Sequence, residues 1–103
     1  MMNMEKVEIF HGDKIEILEM VLKNVDKQLE LLLKIYFENT VLQITFYNVS
    51  RFRIGDVSTP LEIHGFEIIK HSQNGWEEDS RYEIRDFEDD SVNFFCEYFK
   101  IDE

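Results

Sequence analysis

From Leu29 to Phe37 the chain alternates. Leu29, Leu31, Leu33, Ile35 and Phe37 take the odd positions, and Gln28, Glu30, Lys34 and Glu38 take the even ones, with Leu32 and Tyr36 as exceptions. A period of two sends successive side chains to opposite faces, so this stretch predicts a half-buried β-strand. A competing period runs through Asp13 to Phe37. Ile15, Leu18, Leu22, Val25, Leu29, Leu32 and Tyr36 keep a 3-4 helical spacing behind a capping pair, Asp13 and Glu16. Ile17, Met20, Val21, Leu31, Leu33, Ile35 and Phe37 lie off that stripe, however, and a surface helix apolar all round has no solvent face. The preferred reading is two antiparallel strands joined by a turn at Asn24-Val25-Asp26. The alternative is an α+β fold with one long helix over 13–37.

Downstream, Glu38-Asn39-Thr40 separates this run from Val41 to Tyr47, where Leu42, Ile44 and Phe46 alternate with Gln43, Thr45 and Tyr47. Leu61 to Ile69 is an apolar strand interrupted at Gly65, where an isolated glycine predicts a bulge or a close backbone approach. Ser72-Gln73-Asn74-Gly75 supplies a turn. Tyr82, Ile84 and Asp86 then alternate with Glu83, Arg85 and Phe87, the acidic run Glu88-Asp89-Asp90-Ser91 turns the chain, and Val92, Phe94, Cys96 and Tyr98 share a face. Turn signals about every 8 to 12 residues predict an all-β fold, an antiparallel sandwich or open barrel of six to seven strands. With one proline, Pro60, and no linker or repeat, residues 1–103 read as a single domain.

Composition adds sign to this picture. The 103 residues carry 11 Lys and Arg against 22 Asp and Glu, a formal net charge of -11. Residues 1–50 hold 5 basic and 8 acidic side chains, whereas residues 51–103 hold 6 and 14, so the negative field belongs mainly to the second half. Phosphate backbones and anionic lipid surfaces are unfavourable partners for such a chain, because nucleic-acid affinity comes largely from Lys and Arg. A basic protein is a favourable one, since opposite fields steer encounter. The start, Met1-Met2-Asn3-Met4-Glu5-Lys6, shows no secretory leader pattern, and no apolar run approaches the roughly 20 residues that span a bilayer as a helix. A single cysteine, Cys96, agrees with a reducing compartment. A cytoplasmic protein is expected.

Candidate chemistry is sparse. His11, His64 and His71 lack a spacing that would converge on a metal, and Cys96 stands alone, so no metal or cofactor is expected. Gly12, Gly55, Gly65 and Gly75 are too far apart for a phosphate loop, and no Gly-x-Ser-x-Gly elbow is present. Cys96 sits among Phe94, Phe95 and Tyr98, where a thiol packs as an inert small side chain. No enzyme is expected. Trp76 follows Asn74-Gly75 and precedes Glu77, Glu78 and Asp79. It either anchors an interface, as tryptophans in binding hot spots do, or folds back over the end of the sandwich. Together with Asp86, Glu88, Asp89 and Asp90, these four residues form the candidate partner-binding set.

Several segments resemble a known group when taken together. They are His11-Gly12-Asp13, Phe46-Tyr47-Asn48-Val49-Ser50-Arg51-Phe52-Arg53-Ile54, Pro60-Leu61-Glu62-Ile63, Phe66-Glu67-Ile68, Arg81-Tyr82-Glu83-Ile84 with Asp86, and Phe94-Phe95-Cys96-Glu97. This arrangement is similar to that of small acidic bacterial β-domain proteins, several of them immunity proteins of polymorphic or contact-dependent toxin systems. The resemblance implies a stoichiometric binder that blocks a toxin by covering its active surface. It carries over no functional residue. Two other readings stand beside it: a small-ligand or carbohydrate-binding β-domain with an apolar pocket lined by Trp76 and tyrosines, and a homo-oligomeric structural protein pairing through Leu29 to Phe37.

Overall fold

The computed structural model describes residues 10–55, 61–70, 82–86, 88 and 91–102. It is all-β, with eight antiparallel strands: β1 (His11–Val25), β2 (Gln28–Phe37), β3 (Thr40–Tyr47), β4 (Ser50–Ile54), β5 (Glu62–Lys70), β6 (Tyr82–Asp86), β7 (Val92–Cys96) and β8 (Tyr98–Asp102). No helix among the described residues is long and apolar enough to cross a membrane.

All eight strands belong to one sheet, in the order β4-β7-β6-β5-β1-β2-β3-β8. Two connections dictate its shape. Asn48 and Val49 alone carry the chain from β3 to β4 at the far end of that order, and Glu97 alone carries it from β7 to β8. Laid flat, strands about 4.8 Å apart would separate those positions by roughly 30 Å, whereas two residues reach about 7 Å. The sheet must therefore roll round until its ends meet. Two backbone hydrogen bonds fix the seam, from Val49 N–H to the Leu29 carbonyl (2.8 Å) and from Glu97 N–H to the Tyr47 carbonyl (3.0 Å). β4 and β8 form no ladder with each other, so the barrel is open.

The rolled sheet encloses its apolar face. Leu31, Leu33, Ile35 and Phe37 are buried and Leu29 packs at their margin, so β2 points inward the residues its alternation predicts, and the helix over 13–37 does not form. Aromatic rings fill the middle. Phe46 meets Phe94 edge to face at 4.9 Å, Tyr82 meets Phe99 at 5.0 Å, and Phe10 meets Phe66 at 5.0 Å. Such offset contacts add to the area each ring removes from water.

Local geometry departs from the sequence reading in four places. The β1–β2 turn is Asp26-Lys27, not Asn24-Val25-Asp26: Val25 still pairs with Gln28, and both turn residues take positive φ, 51° and 68°. Such a two-residue turn matches the twist of the flanking strands, as does Glu38-Asn39 between β2 and β3. Leu18 is an extra residue in β1, since Ile17 faces Ile35 and Glu19 faces Lys34. The stretch 92–99 is two strands, because the chain breaks phase at Glu97. Cys96 is therefore buried while Tyr98 points outward, and Phe99 takes the inward place instead. Finally, Leu29 to Phe37 offers no edge for self-pairing, since β2 is laddered to β1 on one side and β3 on the other. The irregularity expected near Gly65 is present: from Asp13↔Phe66 to Ile15↔Ile63, β5 uses one residue more than β1.

Candidate functional site

The acidic turn between β6 and β7 is built from inside the barrel. Alternation along β6 turns Tyr82, Ile84 and Asp86 inward, and Asp86 is only 1% exposed. A carboxylate taken from water needs compensating donors. Asp86 finds them in the turn that follows: Oδ1 accepts the Glu88 N–H at 3.1 Å, and Oδ2 accepts both the Ser91 N–H at 3.3 Å and the Ser91 hydroxyl. One side chain thus ties both limbs of the turn. Expected as a contact residue for a partner, Asp86 is instead an internal anchor, because its position in the strand places it on the core face. Glu88 stands exposed on the turn it holds, and Gly55 N–H donates to the Ser91 carbonyl at 2.8 Å, fastening the turn to the end of β4. Trp76, Glu77, Glu78, Asp79, Asp89 and Asp90 lie outside the described residues.

Beside this turn, Phe52, Arg53, Ile54, Gly55 and Asn93 line a cleft of about 500 Å³ that opens to solvent. The outer face next to it is polar and cross-linked. Asn93 donates to Glu83 at 3.2 Å, Arg85 donates to Glu67 at 2.7 Å, and the Arg51 guanidinium lies 5.1 Å above the Phe95 ring. A second cleft, about 290 Å³, runs past Lys14, Tyr36, Asn39 and Glu62. There Tyr36 donates to Asn39 at 3.1 Å, and His64 Nε2 comes within 3.4 Å of Glu62. Among the described residues no three His, Cys, Asp or Glu side chains gather as metal ligands would. His71 and the His11 side chain lie outside them.

Cys96 is a core residue. Burial among Phe and Ile side chains pushes its thiol well above the ordinary range, and the adjacent Glu97 charge pushes the same way. At neutral pH the thiol is protonated whether the chain is folded or not; above about pH 8.5 only the unfolded thiol ionises, so stability falls as pH rises past that point. Native protein at pH 8 should therefore resist a thiol reagent such as an aryl disulfide, and denatured protein should react fully. Rapid labelling of the native chain would contradict this placement.

One surface feature escaped the sequence reading. Tyr47 and Tyr98 stack at 4.6 Å with their planes 17° apart, on the outside of the barrel where β3 pairs with β8. Tyr98 is 48% exposed there, and Asn48 donates to Glu97 beside it at 3.3 Å. The signal was the break in alternation at Glu97, which no glycine or proline marks. Comparison of the chain with protein-family models, with curated proteins and with solved structures finds no match.

Proposed function

We propose that this protein is a non-enzymatic binding module of the immunity type, a cytoplasmic protein that neutralises a basic toxin domain by occupying its surface. The observation that supports the reading is the buried Asp86 carboxylate, which ties the Glu88 and Ser91 amides to the end of β6, with Asp89 and Asp90 between them in sequence. Negative charge at Glu88, whose amide is already held, costs little ordering on binding, and the chain's net charge of -11 speeds the approach of a cation-rich surface. Trp76 with Glu77, Glu78 and Asp79 remains the proposed aromatic extension of this patch. The clefts give less support to a small-ligand role: both are open and partly charged.

The test is co-expression with the product of the adjacent reading frame. The expected result is a one-to-one complex and relief of growth arrest. The variant Glu88→Gln/Asp89→Asn/Asp90→Asn should slow association and flatten its dependence on salt. A neighbouring product that neither binds nor arrests growth overturns the immunity reading.

A further inference from the structure

β1 is longer than the strand beside it. Its pairing with β5 ends at Glu16↔Glu62, with one more hydrogen bond from Ile17 N–H to the Leu61 carbonyl, while its pairing with β2 continues to Val25↔Gln28. From Leu18 to Val25, one edge of β1 thus has no partner strand among the described residues. Unpaired edges recruit other strands unless something blunts them. Among the described residues the bulge at Leu18 and the charges of Glu19 and Lys23 do so; Met20, Val21, Leu22 and Val25 fill much of the rest, with Leu22 47% and Val25 39% exposed.

The order of side chains along this edge is self-complementary. Glu19 and Lys23 lie symmetrically about Val21. When a second copy runs antiparallel with the two-fold axis at Val21, Glu19 of each copy faces Lys23 of the other, and Met20 of each faces Leu22 of the other. Within one chain, Glu19 already sits 3.6 Å from Lys34, and Lys23 is opposite Glu30. The outer face of the joined sheets would then read Lys34, Glu19, Lys23 of the second copy, Glu30 of the second copy: charges alternating across the seam. The inner face would read Leu33, Met20, Leu22 of the second copy, Leu31 of the second copy, an unbroken apolar row. Moving the axis to Met20 or to Leu22 destroys this match, setting Glu19 against Val21 or against Val25. Opposite charges directly across strands stabilise pairing, and like charges oppose it.

We propose that two copies of this chain join edge to edge through residues 18–25 of β1, antiparallel about a two-fold axis at Val21, to form one continuous sheet. The occupant of the edge is thus a second copy of the protein, and the claim is independent of any toxin partner.

Sedimentation of the full chain tests it. The wild type should show a species of twice the 12.4 kDa chain mass in the micromolar range. Glu19→Lys alone or Lys23→Glu alone sets like charges opposite one another twice, and each should weaken self-association by at least about tenfold. Mixing the two variants in equal amounts should restore a dimer, because every facing pair is then of opposite sign. Folding of each variant is checked by its circular dichroism, and misfolded chains would not be rescued by mixing. A wild type that stays monomeric through the micromolar range overturns the proposal. So does a dimer indifferent to both substitutions.

Discussion

Phe94→Ala should remove about 4 kcal/mol of folding free energy and lower the melting temperature on the order of 20 °C. Phe94 is fully buried on β7, meets Phe46 edge to face at 4.9 Å, and packs on Phe52 at 5.7 Å. Truncation there loses the transfer free energy of a ring and leaves a void that the rolled sheet closes only in part. The neighbours come from β3 and β4, so the loss falls where the two ends of the sheet are held together. A domain of this length typically has about 5–15 kcal/mol in total, so the variant should lose between about a quarter and most of its stability. Phe95→Ala is the internal control. That ring is half-buried on the outer face under Arg51, and its removal should cost no more than about 1.5 kcal/mol. Urea denaturation of both variants would check the contrast, and equal losses would contradict the assignment of inner and outer faces.

The second large effect is expected at Asp86. Asp86→Ala leaves the Glu88 and Ser91 amides and the Ser91 hydroxyl without the acceptor they share, inside a turn whose ends are committed to β6 and β7. Hydrogen bonds to a charged acceptor contribute about 1.5–3 kcal/mol each, and part of that returns when water enters the turn, so about 3 kcal/mol is expected overall. Asp86→Asn should recover only part of it, since an amide presents one acceptor oxygen to donors that now use two. Amide hydrogen exchange at Ser91 reads the effect locally. Protection that is lost in Asp86→Ala while the β2–β3 ladder stays protected would place the damage in the turn; a variant as stable as wild type would refute the anchoring role.

How far the fold was legible depends on where alternation runs unbroken. β2 was legible because each inward position from Leu29 to Phe37 is apolar and each ladder residue has a regular partner. β1 was ambiguous for a physical reason. The extra residue at Leu18 shifts the inward set from Ile15 and Ile17 to Met20 and Leu22, and the two phases joined end to end imitate a helical spacing. β8 was hidden by the opposite effect. Glu97 reverses the faces with no glycine or proline to announce it, whereas unbroken alternation places Tyr98 on the face of Cys96 and Phe99 on the other. Of the candidate site, the parity of Asp86 with Tyr82 and Ile84 already pointed to the core, but its acidic neighbours drew it to the surface set. Composition says how many carboxylates there are, and only strand phase says which of them faces in.

The order of strands in the rolled sheet has a kinetic consequence. The β1–β2 and β2–β3 hairpins close through two-residue turns and need only neighbouring residues, so they form on the microsecond scale. The ladders that complete the barrel do not. His11 must find Glu67, and Tyr47 must find Tyr98, each across roughly half the chain. Loop-closure entropy has to be met before those contacts give anything back, which puts the expected folding time in the millisecond-to-second range of high-contact-order β-proteins. A chain whose β1–β2–β3 hairpins close first carries that unit's apolar face open until β8 and β5 pair with its two outer edges, and rapid dilution from denaturant at high protein concentration should then favour aggregation.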